Sequence, residues 1–271
     1  MVPFIAYVGL FLVVPALSVI LNAFRGSGGQ FTTSNLSAAI HGVYFSSFVA
    51  SLKLSLYSSI VATVLGVAGA LAISSSKNRI LRSIVASGSA VFANTGGVPL
   101  AFSFIATLGN FGLVTRWLQD AGFDPYRHGF SLYSVLGLTI VYQYFLIPLM
   151  ILIMLPAIEG IKAEWIEASS TLGARRLLFW RWVGIPLLAP AIAAAFIVMF
   201  TDAFAAYATA QALTSGVIPL VPIELGALIS GNVLAGQTNL GDALGAGMIF
   251  IVVIAGALYV YVGSKTSKWL R

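Results

Sequence analysis

Six times in 271 residues the chain returns to an apolar run close to the length of a bilayer crossing. These runs cover residues 4–24, 51–73, 84–108, 131–155, 184–209 and 243–263. A hydrocarbon core needs about 20 mainly apolar residues per helical crossing, and backbone groups inside it must be paired within a helix or a closed barrel. Barrel strands alternate over roughly 10 residues, whereas these runs are continuous and far longer, so they are read as helices. Hydrophobic residues make up 59% of the chain and charged ones 8%, against about 25% charged in an ordinary soluble domain. An all-α membrane protein of six transmembrane helices is expected, with residues 1–271 as a single domain.

Side is set by the cations, because cytoplasmic loops accumulate Lys and Arg. The connection after span two holds Lys77, Arg79 and Arg82; the one after span four holds Lys162, Arg175, Arg176 and Arg181; the tail holds Lys265, Lys268 and Arg271. That places 10 of the 14 cations on one side, with Arg25, Lys53, Arg116 and Arg127 toward the other. Both termini are therefore expected in the cytoplasm. The first run has neither a basic leader region nor a small-x-small cleavage pattern before Arg25, so it is expected to stay as a helix. A sequence pI near 9.7 is explained by anionic lipid headgroups, and no nucleic-acid partner is expected. The outer segments 25–37, 110–129 and 210–239 are rich in turn-formers, and Pro219 and Pro222 make the last of them irregular or re-entrant.

Between spans four and five the chain turns polar and basic. Pro156 marks the membrane exit, and Glu159, Lys162, Glu164 and Glu167 recur at the spacing of a short helix on the membrane surface, with Ile158, Ile161, Trp165 and Ala168 or Ser169 on its apolar side. Gly173 suits the left-handed conformation that ends a helix, so a second short helix is expected to follow. Arg175, Arg176, Trp180, Arg181 and Trp182 mix cations with aromatics suited to headgroups, and Pro186 and Pro190 fall in the first turns of span five. A helix-turn-helix over about residues 156–183 offers a compact knob for a groove in a partner. The blander reading is an amphipathic connector lying on lipid.

The frame Glu167, Ala168, Ser169, three residues, Gly173, nine residues, Val183, Gly184, Ile185, Pro186 resembles the EAA loop of bacterial ABC importer permeases. Ser169 stands for the second Ala of that pattern, Val183 for Ile and Ile185 for Leu, with the spacing intact. The resemblance implies a cytoplasmic coupling loop that docks into a cleft on an ATPase, carried by Glu167, Ala168, Ser169, Gly173, Arg175, Val183, Ile185 and Pro186. Glu167 would anchor the loop or its docking contact, and Gly173 would be the hinge between two short helices. Six spans, inward termini, the loop between spans four and five and the Pro/Gly-bearing segment before span six all look like a type I importer permease. Asp202-Ala203-Phe204 is similar to the polyamine, ferric iron, thiamine, opine and phosphonate group.

Family knowledge then implies a multi-pass protein of the bacterial inner membrane that pairs with a second permease subunit, a sister chain rather than a copy of itself. Two ABC ATPase subunits would bind ATP and Mg, and a periplasmic or extracellular solute-binding protein would deliver and select the solute. The chain has no P-loop of its own, because none of its five lysines follows a glycine. With eight acids, two histidines and no cysteine, and no zincin or nucleophile-elbow pattern, no enzyme activity and no cofactor of its own are expected. The competing classes are an ion-coupled secondary transporter, for which one acid in a span is poor provision, and a non-conducting membrane interaction protein.

Polar residues inside the spans are the second signal, since an intramembrane ionisable group usually faces a cavity or a partner. Asp202 is the only acid well inside an expected span. With Thr201, Tyr207 and Gln211 it would line the translocation pathway, or else it is a hydrogen-bonded structural Asp. Asn94, Thr95, Gly96, Gly97 and Pro99 interrupt span three. A packed kink at Pro99 is favoured there over a pathway lining. Gln143 and Tyr142 in span four are further pathway candidates, while His41 and His128 fall in outer segments and are read as solvated. Gly66, Gly69 and Ala70, and Gly241, Gly245 and Gly247, allow helices to approach closely.

Overall fold

The computed structural model describes residues 2–26, 28–76, 78–173, 175–231 and 239–266. Lys77, Lys268 and Arg271, and residues 232–238 of the 210–239 segment, lie outside the described residues, as do the side chains of Arg176 and Lys265. In chain order the helices are α1 (Val2–Val8), α2 (Val14–Ala23), α3 (Ser34–Ala39), α4 (Gly42–Ser74), α5 (Arg79–Ala93), α6 (Val98–Leu108), α7 (Leu113–Asp120), α8 (Val135–Glu159), α9 (Ala163–Thr171), α10 (Arg176–Phe179), α11 (Ile185–Ala205), α12 (Ala208–Thr214), α13 (Val221–Ile229) and α14 (Leu240–Thr266). A π-turn at Gly9–Val13 joins α1 to α2, and another at Trp180–Gly184 joins α10 to α11.

Among the described residues, six helical stretches are long and apolar enough to cross a membrane: Ala6–Ala23, Gly42–Ser74, Val98–Asp120, Val135–Glu159, Trp180–Ala205 and Leu240–Ser264. Five overlap the expected spans closely. The third does not, because residues 84–108 are two helices: α5 with 15 residues and α6 with 11, each short of the roughly 20 that a straight crossing needs. The expected kink at Pro99 is instead a full interruption. α5 stops at Ala93; Gly97, the N-cap of α6, takes φ +83°, which a glycine adopts readily, and Pro99 lies in the first turn of α6, where its missing N–H costs little.

The chain packs as two compact units. The first, residues 1–53 and 214–254, is centred on Ala23, Ala39, Val221, Leu240, Ala243 and Leu244. Here the buried Ser51 hydroxyl accepts the Val221 N–H at 2.9 Å, which satisfies an orphan donor at the start of α13. Asn35 and Asn239 both donate to the Arg25 carbonyl, at 2.8 and 2.6 Å. A side chain at Gly247 would meet the Phe48 ring at 2.7 Å, so the small residue is a packing requirement.

The second unit, residues 54–213 and 255–271, is built around α8. This helix is the most buried of the six candidate spans, with Leu138, Val141, Tyr142, Leu146, Met150 and Met154 fully enclosed. α5 and α11 pack against it, and α4 approaches so closely that a Cβ at Gly66 would lie 2.5 Å from that of Met150. α8 runs through Pro148 and Pro156 to Glu159, so the helix continues for three residues past Pro156. At this end Arg82 of α5 pairs with Glu159 at 3.5 Å and donates to the Ser74 carbonyl of α4 at 2.9 Å. One guanidinium thus holds three helix ends together.

Candidate functional site

The polar loop is assembled from the end of α8 onward. After Glu159 and Gly160 the chain turns at Lys162, the N-cap of α9, so Glu159 and Lys162 do not share the loop helix with Glu164 and Glu167 as expected. α9 is exposed along nearly its whole length. The Ser169 hydroxyl donates to the Ile166 carbonyl at 2.7 Å, and those of Ser170 and Thr171 donate to the Glu167 carbonyl at 2.7 and 3.0 Å. Back-bonding of this kind satisfies a hydroxyl within its own helix, so Ser169 can stand where the EAA pattern has Ala without presenting an unpaired group. Among the described residues the ion pairs are Arg82 with Glu159 and Arg127 with Asp124. Neither engages Glu167.

α9 closes as its sequence predicts. Gly173 has φ +76°, and its N–H donates to the Ser170 carbonyl at 3.0 Å while that of Leu172 reaches the Ala168 carbonyl at 3.1 Å. Nothing lies within 4 Å of a Cβ added at Gly173, so the glycine is required by the backbone alone. Leu172, at the tip beside it, is 87% exposed. Sequence reasoning passes over Leu172, although an apolar residue next to a predicted turn in a polar loop is its visible signal.

The second half of the loop differs from expectation. No separate short helix follows Gly173. α10, the π-turn and α11 run on without a break, so the second arm is the extension of span five itself. The reason is local: the Ile185 N–H donates to the Trp180 carbonyl, closing the wider turn, just before Pro186, which has no N–H to give the Trp182 carbonyl. A side chain at Gly184 would run into the Trp180 ring, so this turn also depends on a glycine. Gly173 therefore lies between one short helix and a long one. Val183 and Ile185 are exposed on the second arm. With Pro186, Val183 lines an apolar groove of about 760 Å³ that also includes Pro156, Trp165, Trp182 and Pro190.

A second, smaller cavity of about 270 Å³ lies where two helices break. Its lining includes Asn94, Gly96 and Gly97 from the interruption between α5 and α6, and Asp202, Tyr207 and Thr209 from the end of α11 and the start of α12. The breaks are fastened to each other. The Gly97 N–H donates to the Thr209 hydroxyl at 2.7 Å, and that hydroxyl lies 3.4 Å from the Gly97 carbonyl. Tyr142, fully buried in α8, donates its hydroxyl to the Ala206 carbonyl at 3.1 Å. Both breaks border candidate spans, which begin at Val98 and end at Ala205, and their backbone groups find protein partners.

Of the pathway candidates, Asn94, Asp202 and Tyr207 are brought together in this cavity. Thr201 and Gln143 are not among its lining residues. The Thr201 hydroxyl donates within its own helix to Ile197 at 2.9 Å, and the Gln143 amide nitrogen donates to the Thr139 carbonyl at 2.8 Å and to that of Ser58 in α4 at 3.3 Å. Thr209 has no signal in the sequence, because its function depends on a partner 112 residues away. Outside the spans, the His41 ring pairs with the Ser37 carbonyl and that of His128 with the Asp124 carbonyl.

No family model matches the chain. It is 26% identical over 222 residues to the molybdenum transport system permease protein ModB of Mycobacterium tuberculosis, covering 80% of this chain and 77% of that one. It is 28% identical over 264 residues to the ferric transport system permease protein FbpB of Actinobacillus pleuropneumoniae, covering 94% of this chain and 36% of that one. Among solved structures, a bacterial ABC transporter involved in import of the acidic polysaccharide alginate superposes with a TM-score of 0.73 at 17% identity, over 98% of this chain and 93% of that one. That likeness concerns the fold.

Proposed function

We propose how this chain, a permease subunit of a type I ABC importer, couples its pathway to ATP hydrolysed elsewhere. The knob formed by α9, Leu172 and Gly173 docks into a cleft on a cytoplasmic ATPase. The observation that carries this reading is the tip itself: an exposed leucine, held in place by a left-handed glycine, beside a Glu167 that belongs to neither ion pair of the described residues. Because the second arm is continuous with α11, a displacement of the tip is transmitted to the Asp202 end of the same helix as rigid-body motion. Alternating access then follows from ATP binding drawing the loops together. Glu167, Ala168, Ser169, Gly173 and Arg175 belong to the docking surface. Val183, Ile185 and Pro186 shape the lever behind it.

The cavity at Asn94, Asp202 and Tyr207 is assigned to the solute pathway. Residues 1–271 act as one permease domain with both termini in the cytoplasm, a reading supported by the clustering of cations on the loop's side. Two ATPase subunits holding ATP and Mg, a sister permease chain and an external solute-binding protein complete the machine. The solved alginate transporter was captured with its periplasmic binding protein. The chain itself performs transport and no chemistry. Molybdenum and ferric iron, in the names of two relatives, are the first solutes to offer the binding protein. The comparisons do not favour an ion-coupled secondary transporter or a non-conducting scaffold.

The test is co-purification with the ATPase and measurement of hydrolysis. Glu167→Lys and Gly173→Val should leave the chain folded and in the membrane while lowering transport-coupled hydrolysis at least tenfold. Unchanged hydrolysis and transport in both variants would refute the docking assignment.

A further inference from the structure

The apolar groove beside the coupling loop has an unusual rim. Its walls come from Pro156 and Ala157 at the end of α8, Trp165 on α9, and Trp182, Pro186 and Pro190 along the π-turn and α11. No charged side chain is among its lining residues. At its edges, however, each tryptophan carries a cation: the Lys162 ammonium lies 5.9 Å from the centre of the Trp165 ring, and the Arg181 guanidinium 5.8 Å from that of Trp182. These are cation–π distances. Both cations thus sit beside tryptophans of the groove wall, and Trp182 stays 69% exposed. Glu159, the acid at the end of the α8 wall, is paired with Arg82.

An apolar trough that starts among residues of span five, with a cation resting on each of its two tryptophans, has the chemistry of one amphiphile. Its tail must be hydrocarbon and its head anionic. We infer that this groove is a binding site for an anionic phospholipid, with acyl chain along Pro186 and Pro190 and phosphate between Lys162 and Arg181. Basic pockets at the ends of spanning helices recognise anionic headgroups, and tryptophan rings favour the depth of the headgroups. The site lies between α9 and the π-turn, so an occupying lipid braces the docking knob against the lever. This goes beyond the coupling assignment and does not depend on an ATPase.

The full chain is purified in detergent, transferred to nanodiscs holding equal amounts of phosphatidylglycerol and phosphatidylethanolamine, and analysed by native mass spectrometry after release. Retained phosphatidylglycerol should exceed phosphatidylethanolamine. The double variant Lys162→Gln/Arg181→Gln should weaken its binding about ten- to thirtyfold, from the contribution of each cation near an anionic surface. A phosphatidylglycerol carrying a photoreactive acyl chain should label wild-type peptides spanning 156–191, which keeps the test independent of whether the variant folds. Equal retention of the two lipids, or undiminished phosphatidylglycerol on the double variant, overturns the site. So does labelling confined to other helices, or cross-links from the groove to a sister permease in place of lipid.

Discussion

The tip of the coupling loop and the cavity at the helix breaks are built on opposite plans. At the tip, Leu172 is 87% exposed, Glu167 is in neither ion pair of the described residues, and Gly173 touches nothing that a side chain would meet. In the cavity, the Gly97 N–H and the Ala206 carbonyl both find partners on other helices, Thr209 and Tyr142. The first region has its hydrogen bonds closed within one short helix and its apolar surface left over. The second depends on distant segments for its backbone pairing. A region whose contacts lie outside the chain should lose partner binding when altered and keep its stability; a region fastened across the fold should do the reverse.

The largest effect is expected at the tip. Replacing Leu172 by Asp removes the apolar contact that docking would bury, about 1.5–3 kcal/mol for a leucine, so affinity for the ATPase should fall roughly ten- to a hundredfold by pull-down titration, with thermal unfolding of the isolated chain unchanged. A matching loss of stability would erase the contrast. Next comes Thr209→Val, which keeps the shape and strands the Gly97 N–H. The bond is half-buried, so its loss should fall at the low end of the about 1–3 kcal/mol that an unsatisfied buried donor costs, lowering the unfolding midpoint in detergent by a few degrees, whereas Thr209→Ser should stay near wild type. Gly173→Ala is expected to be milder, about 1 kcal/mol of backbone strain with no steric component, measurable as a small shift in midpoint. Smallest is Arg82→Lys. Its pairing with Glu159 is half exposed and is expected to contribute no more than about 1 kcal/mol, read as faster proteolysis at the ends of α5 and α8.

Legibility from the sequence follows the same division. The loop motif is contiguous, and each of its residue types has a local meaning, so the end of a helix at Gly173 can be read from the residues alone. The number of spans is legible because composition over about 20 residues decides it. The interruption of span three is visible in Asn94 to Pro99, but its form is not. Pro99 draws attention as the breaker, while α5 already stops at Ala93 and the left-handed Gly97 that starts α6 is held by Thr209 from another helix. The continuity of α10 into α11 is hidden for a related reason. Pro186 reads as a helix start, and a π-turn ending just before it has no sequence signature of its own. Asp202, Asn94 and Tyr207 can each be suspected singly, yet their convergence, and the exclusion of Thr201 and Gln143 from it, depend on tertiary packing.

The chain has no cysteine, so a single Leu172→Cys variant reports from the tip without background. In membrane vesicles holding the assembled transporter, this thiol should cross-link to the ATPase subunit through a short bifunctional reagent, and ATP should change the yield. The same thiol should react freely with a water-soluble maleimide when the ATPase is omitted. A thiol at this position that labels equally with and without the ATPase, and forms no cross-link to it, would contradict the docking of this tip.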